Sequence, residues 1–525
     1  MKRVEVVYWM KKKGVYFIGT DIGTLGTKSV LVDINGQIIA SDFAEYGVLT
    51  PQPMWAEQWP DVWFDAVCKT IKGVVEKSRV PKEQINGVTI SGLYAGSGIP
   101  CDENMNPLRP CLIWMDRRAT KEVEWVKENI GEDKIFDITA NYIDSYYGYT
   151  KILWIKNNEP DIWKKIKYLV TPYAYAIYHL TGSVSMDYSS AGNIGGIFDI
   201  NKRDWSIELL KEMGILREFF PEKLSESSEV VGKINAAGAK LTGLAEGTPV
   251  CAGGVDAAVA TLSAGAFDEG DHVAMMGTSM CWGFIHNGQR YSKNLISMPH
   301  VAYPKEKIYT FAGAATAGGV IKWFRETFAQ IEKTMGSLID VDAYPILDLE
   351  ARKIPAGSDG LIVLPYFMGD RAPIWNVNAR GTICGLTLYH TKGHIFRAFL
   401  EAVAYALRNC MEYGKQTGMT LNKELKMVGG ATKSDLWKSI LADITKFPIT
   451  CVTGGGEAAY GDALLAAVGV GAVENYEVIN DWLSFENAIE PHPARTEVYD
   501  AYFKQYVGIY EALKNSMDNL AKLPK

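Results

Sequence analysis

A short segment near the start of the chain contains the groups needed to hold a phosphate: VYFIGTDIGTLGTKSVLVDINGQII, residues 15–39. Asp21 offers a carboxylate, Gly23 a close backbone approach, Thr24 a hydroxyl and Lys28 a cation. Catalysis of phosphoryl transfer depends on positioning and charge stabilisation, and these groups can supply both. The alternative is an ordinary tight hairpin in which Asp and Gly serve the turn.

The flanking residues predict the element that carries these groups. An apolar run precedes the Gly-Thr turn, the β-branched KSVLVD follows as a second strand, and NGQ marks a hairpin tip. The same order returns in DHVAMMGTSMCWGFIHNGQRY, where Gly277, Thr278 and Ser279 form the turn. The repetition predicts two related α/β domains whose hairpins hold a polyphosphate from both sides of a cleft, with Asp21 holding Mg²⁺ directly or through water.

Two further glycine-rich turns connect a strand to a helix. In GGVDAA, Asp256 follows two glycines and precedes a helix of small residues. It is therefore a helix N-cap, or a general base that accepts a proton from a substrate hydroxyl, and the two roles are compatible. In VGGATKSD, Gly429 and Gly430 leave space for a ligand beside the backbone, although such a turn is usually a plain connection.

The composition limits the classes of protein to consider. A chain of 525 residues is long enough for two large domains, and 47% hydrophobic with 22% charged residues is ordinary for a globular protein. The net charge of −7 gives no reason to expect nucleic acid or an anionic membrane as a partner. Scattered cysteines without a C-x-x-C pair predict reduced thiols, and His390 and His394 are interpreted as loop and helix-start residues rather than metal ligands.

No segment predicts a signal peptide or a membrane helix, so we expect a soluble, cytoplasmic protein. Residues 1–14 are interpreted as an N-terminal extension. The domain boundary is placed around residues 260–268, just after the helix of Asp256 begins. This gives a first domain over residues 15–262 and a second over residues 263–525.

With two longer segments, these motifs resemble the FGGY family of carbohydrate kinases, within the sugar kinase and actin-like ATPase superfamily. The resemblance covers Val15 to Val473. GTICGLTLYHTKGHIFRAFLE, residues 381–401, is similar to the second family signature, from which Phe399 departs. YYGYTKILWI is similar to the first signature, with Gly148 where Pro, Ser or Thr is usual. Neither departure touches the chemistry.

The resemblance implies two actin-like ATPase (RNase H-like) α/β domains with the active-site cleft between them, and a reaction that uses ATP and Mg²⁺. It implies that Asp256 is the catalytic base and that Asp21 is the residue linked to the metal. Nucleotide-binding positions are implied at Asp21, Gly23, Thr24, Lys28, Gly277, Thr278, Ser279, Gly318, Gly429, Gly430, Ala431 and Ser434.

The resemblance also bears on the substrate. PYFMGDRAPIWNVNARG, residues 365–381, resembles the xylulokinase-like branch, which implies a ketopentose or a pentitol as phosphate acceptor. After the third strand, however, the chain reads Leu93, Tyr94, Ala95 and Gly96 where xylulokinases carry Gln-Met-His-Gly. The missing Gln and His remove polar groups that would meet sugar hydroxyls.

Residues around this segment are predicted to contact the substrate: Tyr94, Ala95, Gly96, Asp116, Arg117 and Asp256. Asp116 and Arg117 would be acceptor and donor for a polyol, and the alternative for this pair is an exposed salt-bridge cluster. Kinases of glycerol, a tetritol or a sugar acid stay open. So does an actin-like ATPase without a sugar substrate, although that class lacks the FGGY signatures. The expected partner is a small sugar or polyol, without nucleic acid or membrane, and a homodimer is left open.

Overall fold

The computed structural model describes residues 14–288 and 290–523, and the predicted N-terminal extension lies outside them apart from Gly14. In chain order the strands are β1 (Tyr16–Ile22), β2 (Gly26–Asp33), β3 (Ile38–Glu45), β4 (Glu57–Gln58), β5 (Ile85–Gly92), β6 (Ile99–Cys101), β7 (Cys111–Leu112), β8 (Tyr168–Val170), β9 (Phe198–Asp199), β10 (Asp204–Trp205), β11 (Val230–Lys233), β12 (Pro249–Cys251), β13 (His272–Met276), β14 (Met280–His286), β15 (Ile296–Pro299), β16 (Ile308–Ala312), β17 (Ile362–Leu364), β18 (Thr382–Cys384), β19 (Leu425–Gly429), β20 (Ile449–Thr453) and β21 (Ser484–Phe485).

Helices separate many of these strands. In chain order they are α1 (Pro60–Ser78), α2 (Thr120–Asn129), α3 (Glu132–Thr139), α4 (Gly148–Asn158), α5 (Pro160–Trp163), α6 (Pro172–Thr181), α7 (Tyr188–Asn193), α8 (Ile207–Met213), α9 (Ala236–Thr242), α10 (Asp256–Ser263), α11 (Gly318–Phe328), α12 (Gln330–Ile339), α13 (Ala343–Arg352), α14 (Lys392–Lys415), α15 (Asp435–Thr445), α16 (Ala458–Gly469), α17 (Ile479–Trp482) and α18 (Pro493–Ala521). Within the described part of the chain, no helix has the length and apolar character needed to cross a membrane.

The chain divides into two compact units, each built from several segments. The first unit holds the chain up to Glu269, Ile285–Thr310 and Gly454–Ser484, whereas the second holds Gly270–Phe284, Phe311–Thr453 and the chain from Phe485 onwards. The first break lies close to the predicted boundary at residues 260–268. The predicted division into two continuous domains differs from this arrangement. Helix α16 lies in the predicted second domain, residues 263–525, but belongs to the first unit.

A sheet in the order β11-β12-β5-β1-β2-β3 organises the first unit. Strands β1, β2 and β3 are antiparallel neighbours, and β1, β5 and β12 run parallel. The predicted NGQ hairpin tip is confirmed: Gly36 adopts φ +82°, and Asp33 Oδ1 accepts hydrogen bonds of 2.9 Å from the N–H groups of Asn35 and Gln37. Apolar side chains from these strands and from α1 form a buried core that includes Ile18, Leu31, Val67 and Ile90.

Helix α16 lies directly against strand β1 of this sheet. A Cβ atom added at Gly19 would come within 1.8 Å of Ala459 O, so only glycine allows the helix this close to the strand. The sequence matches this need, because α16 is rich in alanine and glycine and its small side chains are buried. The close approach carries the polar residues of α16 to the end of β1 where Asp21 stands.

Four strands of the second unit repeat the pattern of β2-β1-β5-β12. Strands β13 and β14 form an antiparallel hairpin, and β13, β19 and β20 run parallel. Trp282 of β14 is fully buried beside α14, where a Cβ at Gly414 would lie 2.4 Å from the indole ring. The predicted α/β fold with two Gly-Thr hairpins is confirmed.

Candidate active site

Three parallel strands of the first unit end at one edge of its sheet. Asp21 of β1 stands opposite Ser91 of β5 in the strand register. The segment after β12 continues the same edge, because the Gly92 N–H donates to Gly254 O at 3.1 Å and Gly92 forms a parallel bridge with Val255. In open α/β sheets, ligands bind outside the carboxyl ends of the strands. Asp256 follows directly, so two predicted site residues share this edge.

Asp21 lies in a partly buried cluster of acidic side chains. Burial, together with the charges of Asp256 and Glu457, raises the pKa of its carboxyl to about 8, although Lys28 and a hydrogen bond from Ser91 act to lower it. Asp21 Oδ1 is itself buried and has no hydrogen-bond partner among the described residues. A carboxylate oxygen in this state is expected to receive a ligand. Asp21 therefore meets the condition for a metal-linked group.

The predicted cation Lys28 forms a salt bridge with Glu457, which precedes α16. The motifs in the sequence do not single out Glu457 or Asp462 of α16. The available signal was an acidic residue, Asp462, inside an otherwise small and apolar helix. The structure shows Asp462 fully buried beside Ser91.

Asp256 occupies the first position of helix α10 rather than the N-cap, which is Val255. The N-cap interpretation is corrected accordingly, although Asp256 Oδ1 still accepts from the Ala257 N–H at 2.6 Å. The backbone before Asp256 requires glycine. Gly253 adopts φ +74°, and a Cβ there would lie 1.8 Å from Ile90 O. The chain thus crosses tightly over β5 to deliver Asp256 to the edge.

The first Gly-Thr turn is held by side chains of its own unit. The Gly23 N–H donates to Gly26 O at 3.0 Å, and the Thr24 hydroxyl accepts from the Trp114 indole N–H at 3.0 Å. Thr24 O also accepts from Gln58 Nε2 at 2.9 Å. Because its acceptor side is used by Trp114, the Thr24 hydroxyl keeps its proton for an anion.

The predicted substrate segment follows β5 directly. Tyr94 is buried, and its hydroxyl has no hydrogen-bond partner among the described residues. Ala95 adopts φ +56°, and its carbonyl accepts from Lys151 Nζ at 3.0 Å. A Cβ at Gly96 would lie 2.6 Å from Leu112 O, so this glycine serves close packing. Tyr94 is the member of this segment with a polar group available to a ligand.

Asp116 has a structural environment that differs from the prediction. Its carboxylate accepts from the Ala56 N–H at 2.7 Å and from Arg118 Nε and Nη2 at 2.9 and 2.7 Å, and the group is fully buried. These bonds leave it little capacity for a substrate hydroxyl. Arg117 instead pairs with Asp144. The alternative of an exposed salt-bridge cluster also needs correction, since the Asp116–Arg118 pair is buried.

A cavity of about 560 Å³ lies within the second unit, beside its Gly-Thr turn. Six of the predicted nucleotide-binding residues line it: Gly277, Thr278, Gly318, Gly430, Ala431 and Ser434. Ser279 and Gly429 are not among the lining residues. Gly429 acts through the backbone, because it adopts φ +99° and a Cβ there would lie 2.5 Å from Met276 O.

The rest of the cavity wall combines aromatic rings with charged side chains of both signs. Tyr344, Phe396 and Trp437 supply ring surface, Lys322 and Lys433 supply positive charge, and Asp342 and Asp348 supply negative charge. The rings suit a planar ligand, and the volume is typical of small-molecule sites. The sequence predicts the glycines but not these side chains, which come from four helices and a turn far apart in the chain.

Within residues 14–288 and 290–523, no group of three or more His, Cys, Asp or Glu side chains is arranged to hold a metal ion. A metal at Asp21 would thus take its remaining ligands from water and substrate, as Mg²⁺ commonly does. The interpretation of the histidines agrees with their positions, because His390 precedes α14 and His394 lies in its first turn.

One sheet ends in carboxylates and the other lies beside a cavity, and these are groups that an α/β phosphotransferase would need. Comparisons with known proteins are more specific. The profile of the "FGGY family of carbohydrate kinases, N-terminal domain" matches residues 16–263, and that of the C-terminal domain matches residues 272–470. The chain belongs to the FGGY family of carbohydrate kinases, and is an enzyme that transfers a phosphoryl group to an alcohol group.

Similar proteins span nearly the whole length of this chain. A xylulose kinase of Bacillus subtilis (strain 168) is 29% identical over 503 residues, which cover 95% of this chain and 97% of that protein. A gluconokinase of the same organism is 28% identical over 515 residues, covering 96% and 98%. The crystal structure of a ligand-bound xylulose kinase from Lactobacillus acidophilus superposes with a TM-score of 0.88 at 27% identity, covering 96% of this chain and 99% of that one. The predicted family resemblance, with a xylulokinase-like branch, is confirmed.

Proposed function

We propose that this kinase transfers the γ-phosphoryl group of ATP to a hydroxyl of a five-carbon ketose or pentitol. One observation carries the proposal: Asp256 and Asp21 share the carboxyl edge of one sheet, close enough for the charge of Asp256 to raise the pKa of Asp21. Phosphoryl transfer to a hydroxyl needs a carboxylate for the acceptor proton and a second group for the charge of the phosphate. This edge supplies both.

In this proposal Asp256 accepts the proton of the attacking hydroxyl. The residue stands at the start of helix α10, and the hydrogen bond that its Oδ1 accepts from the Ala257 N–H orients the side chain. A carboxylate in this position contributes about 10²–10⁴-fold to the rate when it acts as a general base. The proton leaves the hydroxyl as its oxygen bonds to phosphorus, so the sugar oxygen does not accumulate positive charge.

Asp21 would hold Mg²⁺ through its unpartnered Oδ1, directly or through a water molecule. When bound, Mg²⁺ neutralises charge on the phosphate oxygens as the bond to the leaving group breaks. The raised pKa of Asp21 supports a cation at this place, since a positive charge would offset the neighbouring carboxylates. The first Gly-Thr turn, Gly23 and Thr24, would contact the phosphates, and the salt bridge with Glu457 would hold the Lys28 cation beside them.

The nucleotide would occupy the cavity of the second unit. Gly277 and Thr278 of the Gly-Thr turn, together with Ala431 and Ser434, line this cavity, and the turn would hold the phosphates. The Ser434 hydroxyl is oriented by its bond to Asp348 Oδ2 at 2.6 Å. Ser279 is exposed in the same turn, where its hydroxyl is accessible to phosphate oxygens.

The names of the similar proteins support two sugar classes. Xylulose kinases favour a ketopentose, and the almost equal similarity to a gluconokinase favours a sugar acid as the second candidate. The substrate segment carries Tyr94 and Ala95 where xylulokinases have Met and His. We therefore expect D-xylulose itself to be a poor substrate. Location in the cytoplasm and a homodimer remain predictions from the sequence.

An ATP-consumption screen tests this proposal over pentuloses, pentitols, tetritols, glycerol and sugar acids. The expected result is the highest kcat/KM for a pentulose or pentitol other than D-xylulose. A sugar acid with the highest value would select the second candidate. Nucleotide consumption that does not depend on any of these acceptors would contradict the proposed function.

A further inference from the structure

Asp462 is a fully buried carboxyl group that the proposed mechanism does not yet use. It reaches the active edge because α16 lies so close to β1: a Cβ at Gly19 would come within 2.8 Å of Asp462 Cβ. Its neighbour is Ser91, which stands opposite Asp21 in the register of β1 and β5. Asp462 is therefore one side chain away from the residue proposed to hold the metal.

Asp462 forms hydrogen bonds with both the side chain and the backbone of Ser91. Ser91 Oγ lies 2.5 Å from Asp462 Oδ2, and the Ser91 backbone N–H also donates to the carboxyl group. Asp462 Oδ1 is buried without a hydrogen-bond partner among the described residues. Burial raises the pKa of Asp462 well above its usual value, the charges of Asp21 and Asp256 raise it too, and hydrogen bonds from Ser91 lower it. Ionisation of a carboxyl group is unfavourable in such a place.

The Ser91 hydroxyl has one proton and two carboxyl groups beside it. A hydrogen bond from the Ser91 side chain also reaches Asp21, whose pKa it lowers. A serine hydroxyl has one proton and accepts through its lone pairs. That proton cannot serve an ionised Asp21 and an ionised Asp462 at once. If Asp462 keeps its own proton, Ser91 accepts from Asp462 and donates to Asp21, and both contacts of the Ser91 hydroxyl are satisfied.

We propose that Asp462 is a positioning residue, whose carboxylic acid O–H donates to Ser91 Oγ while the Ser91 hydroxyl donates to the carboxylate that Asp21 presents to a bound cation. One proton stays on Asp462 and one on Ser91, so no covalent bond changes. The relay orients the Asp21 carboxylate and leaves Oδ1 for the metal or its water. The inference rests on the proposed function for the role of Asp21. Groups that orient a metal-binding side chain are commonly worth 10–100-fold in metal affinity or activity.

Substitutions that keep or remove the donor test the relay. In Asp462→Asn the amide N–H replaces the acid O–H as donor to Ser91, whereas Asp462→Leu and Ser91→Ala each break the chain. The probe is Mn²⁺ with a non-hydrolysable ATP analogue, titrated by electron paramagnetic resonance. We expect Asp462→Leu and Ser91→Ala to weaken Mn²⁺ binding by about 10–100-fold. Asp462→Asn should stay within about threefold of wild type, because its donor is retained.

Ser29→Ala is the matched control, because Ser29 is a fully buried serine on the adjacent strand β2. It forms hydrogen bonds of 2.8 Å with Thr20 and Thr70, away from the carboxylate cluster. Its loss should lower thermal stability without weakening Mn²⁺ binding. An equal loss of Mn²⁺ affinity in Ser29→Ala would show general damage to the sheet and overturn the relay. So would an Asp462→Asn protein as weak as Asp462→Leu, since that means an ionised acceptor is required.

Asp21→Ala distinguishes the proposed metal role of Asp21 from the proposed relay through Ser91. If Asp21→Ala leaves Mn²⁺ binding unchanged, the proposed metal role of Asp21 fails. If Asp21→Ala weakens binding but Ser91→Ala does not, the relay alone is wrong.

Infrared spectroscopy with Mg²⁺ and the ATP analogue present gives a second readout. It does not require the Asp462→Leu protein, so poor folding of that variant would not affect it. The difference spectrum of wild type minus Asp462→Asn should contain the C=O stretch of a protonated carboxylic acid, shifted in D₂O. Its absence would overturn the proposal.

Discussion

The two Gly-Thr hairpins share a backbone pattern but differ in the residue two positions before the turn glycine. In the first hairpin this residue is Asp21, and its neighbour on the parallel strand is Ser91. In the second hairpin the equivalent residue is Met275, and its neighbour is Val428. The same pairing of strands therefore delivers a hydrogen-bonded carboxylate in one unit and an apolar surface in the other.

This difference indicates how one supersecondary pattern can serve two tasks. The first unit collects carboxylates whose charges raise the pKa of Asp21, which is the environment that proton transfer and metal binding require. The second unit places its turn beside a cavity with flat side chains such as Tyr344 and Trp437. Substitutions in the first unit should change the chemical step and metal dependence, and those in the second should change nucleotide affinity and stability.

The largest effect is expected from Asp256→Asn. The amide oxygen retains the bond to the Ala257 N–H, so helix α10 and thermal stability should be unchanged. The amide cannot accept the hydroxyl proton, and kcat should fall by about a hundredfold or more. Steady-state kinetics with saturating ATP and sugar, together with a melting curve, provides the measurement.

Asp61→Asn is the control for this change. Asp61 also stands in the first turn of a helix, α1, and its carboxylate accepts from the Tyr175 hydroxyl at 3.4 Å. It should keep wild-type kcat. A stable Asp256→Asn protein that phosphorylates its sugar at close to the normal rate would remove Asp256 from the mechanism.

Much of the first site could be predicted because its positions are local in sequence. The Gly-Thr turn, Asp21 and the strand that follows lie within one hairpin, and β-branched runs with NGQ mark its ends. Asp462 and Glu457 could not be placed this way, because only the packing of α16 on Gly19 brings them to the edge. For Asp116, the sequence showed a polar residue but not that Arg118 would enclose it.

A second prediction compares two adjacent glycines in the second unit. Gly429→Ala should cost roughly 1–3 kcal/mol, because its φ of +99° is strained for alanine and its Cβ would lie 2.5 Å from Met276 O. Gly430→Ala should cost much less, since its Cβ would come no closer than 3.9 Å to Met276 O. Thermal melting of both variants without nucleotide decides between these expectations. Equal melting temperatures would mean that the turn adapts freely.

The third prediction concerns Asp370, a buried carboxyl group of the second unit. Burial raises its pKa to about 7, against hydrogen bonds from the N–H groups of Ala315 and Arg371. The folded state thus holds a proton that the unfolded chain releases near pH 4, so this group's contribution to stability falls as pH rises from about 4 to 7. Asp370→Asn keeps both acceptor contacts and carries no charge.

Melting temperatures measured from pH 4 to pH 9 test this expectation. The wild type should lose stability relative to Asp370→Asn up to about pH 7, and the difference should then stay constant. Parallel curves across the whole range would show that Asp370 has an ordinary pKa. In that case the second unit would lack a strongly shifted carboxyl group at this position, and the electrostatic contrast between the two units would be sharper.

The smallest effect is expected at Tyr94, which tests the substrate side of the first unit. Its buried hydroxyl has no partner among the described residues, so a sugar hydroxyl is the group expected to pair with it. A neutral hydrogen bond contributes about 0.5–1.5 kcal/mol, which predicts a loss of roughly two- to tenfold in kcat/KM for Tyr94→Phe. The KM for ATP should not change, because the nucleotide cavity belongs to the second unit.

Tyr149→Phe is the control for Tyr94→Phe. The Tyr149 hydroxyl is also buried without a partner among the described residues, but its ring packs on Gly196. If both variants lose the same activity, or if Tyr94→Phe loses none, Tyr94 does not contact the sugar.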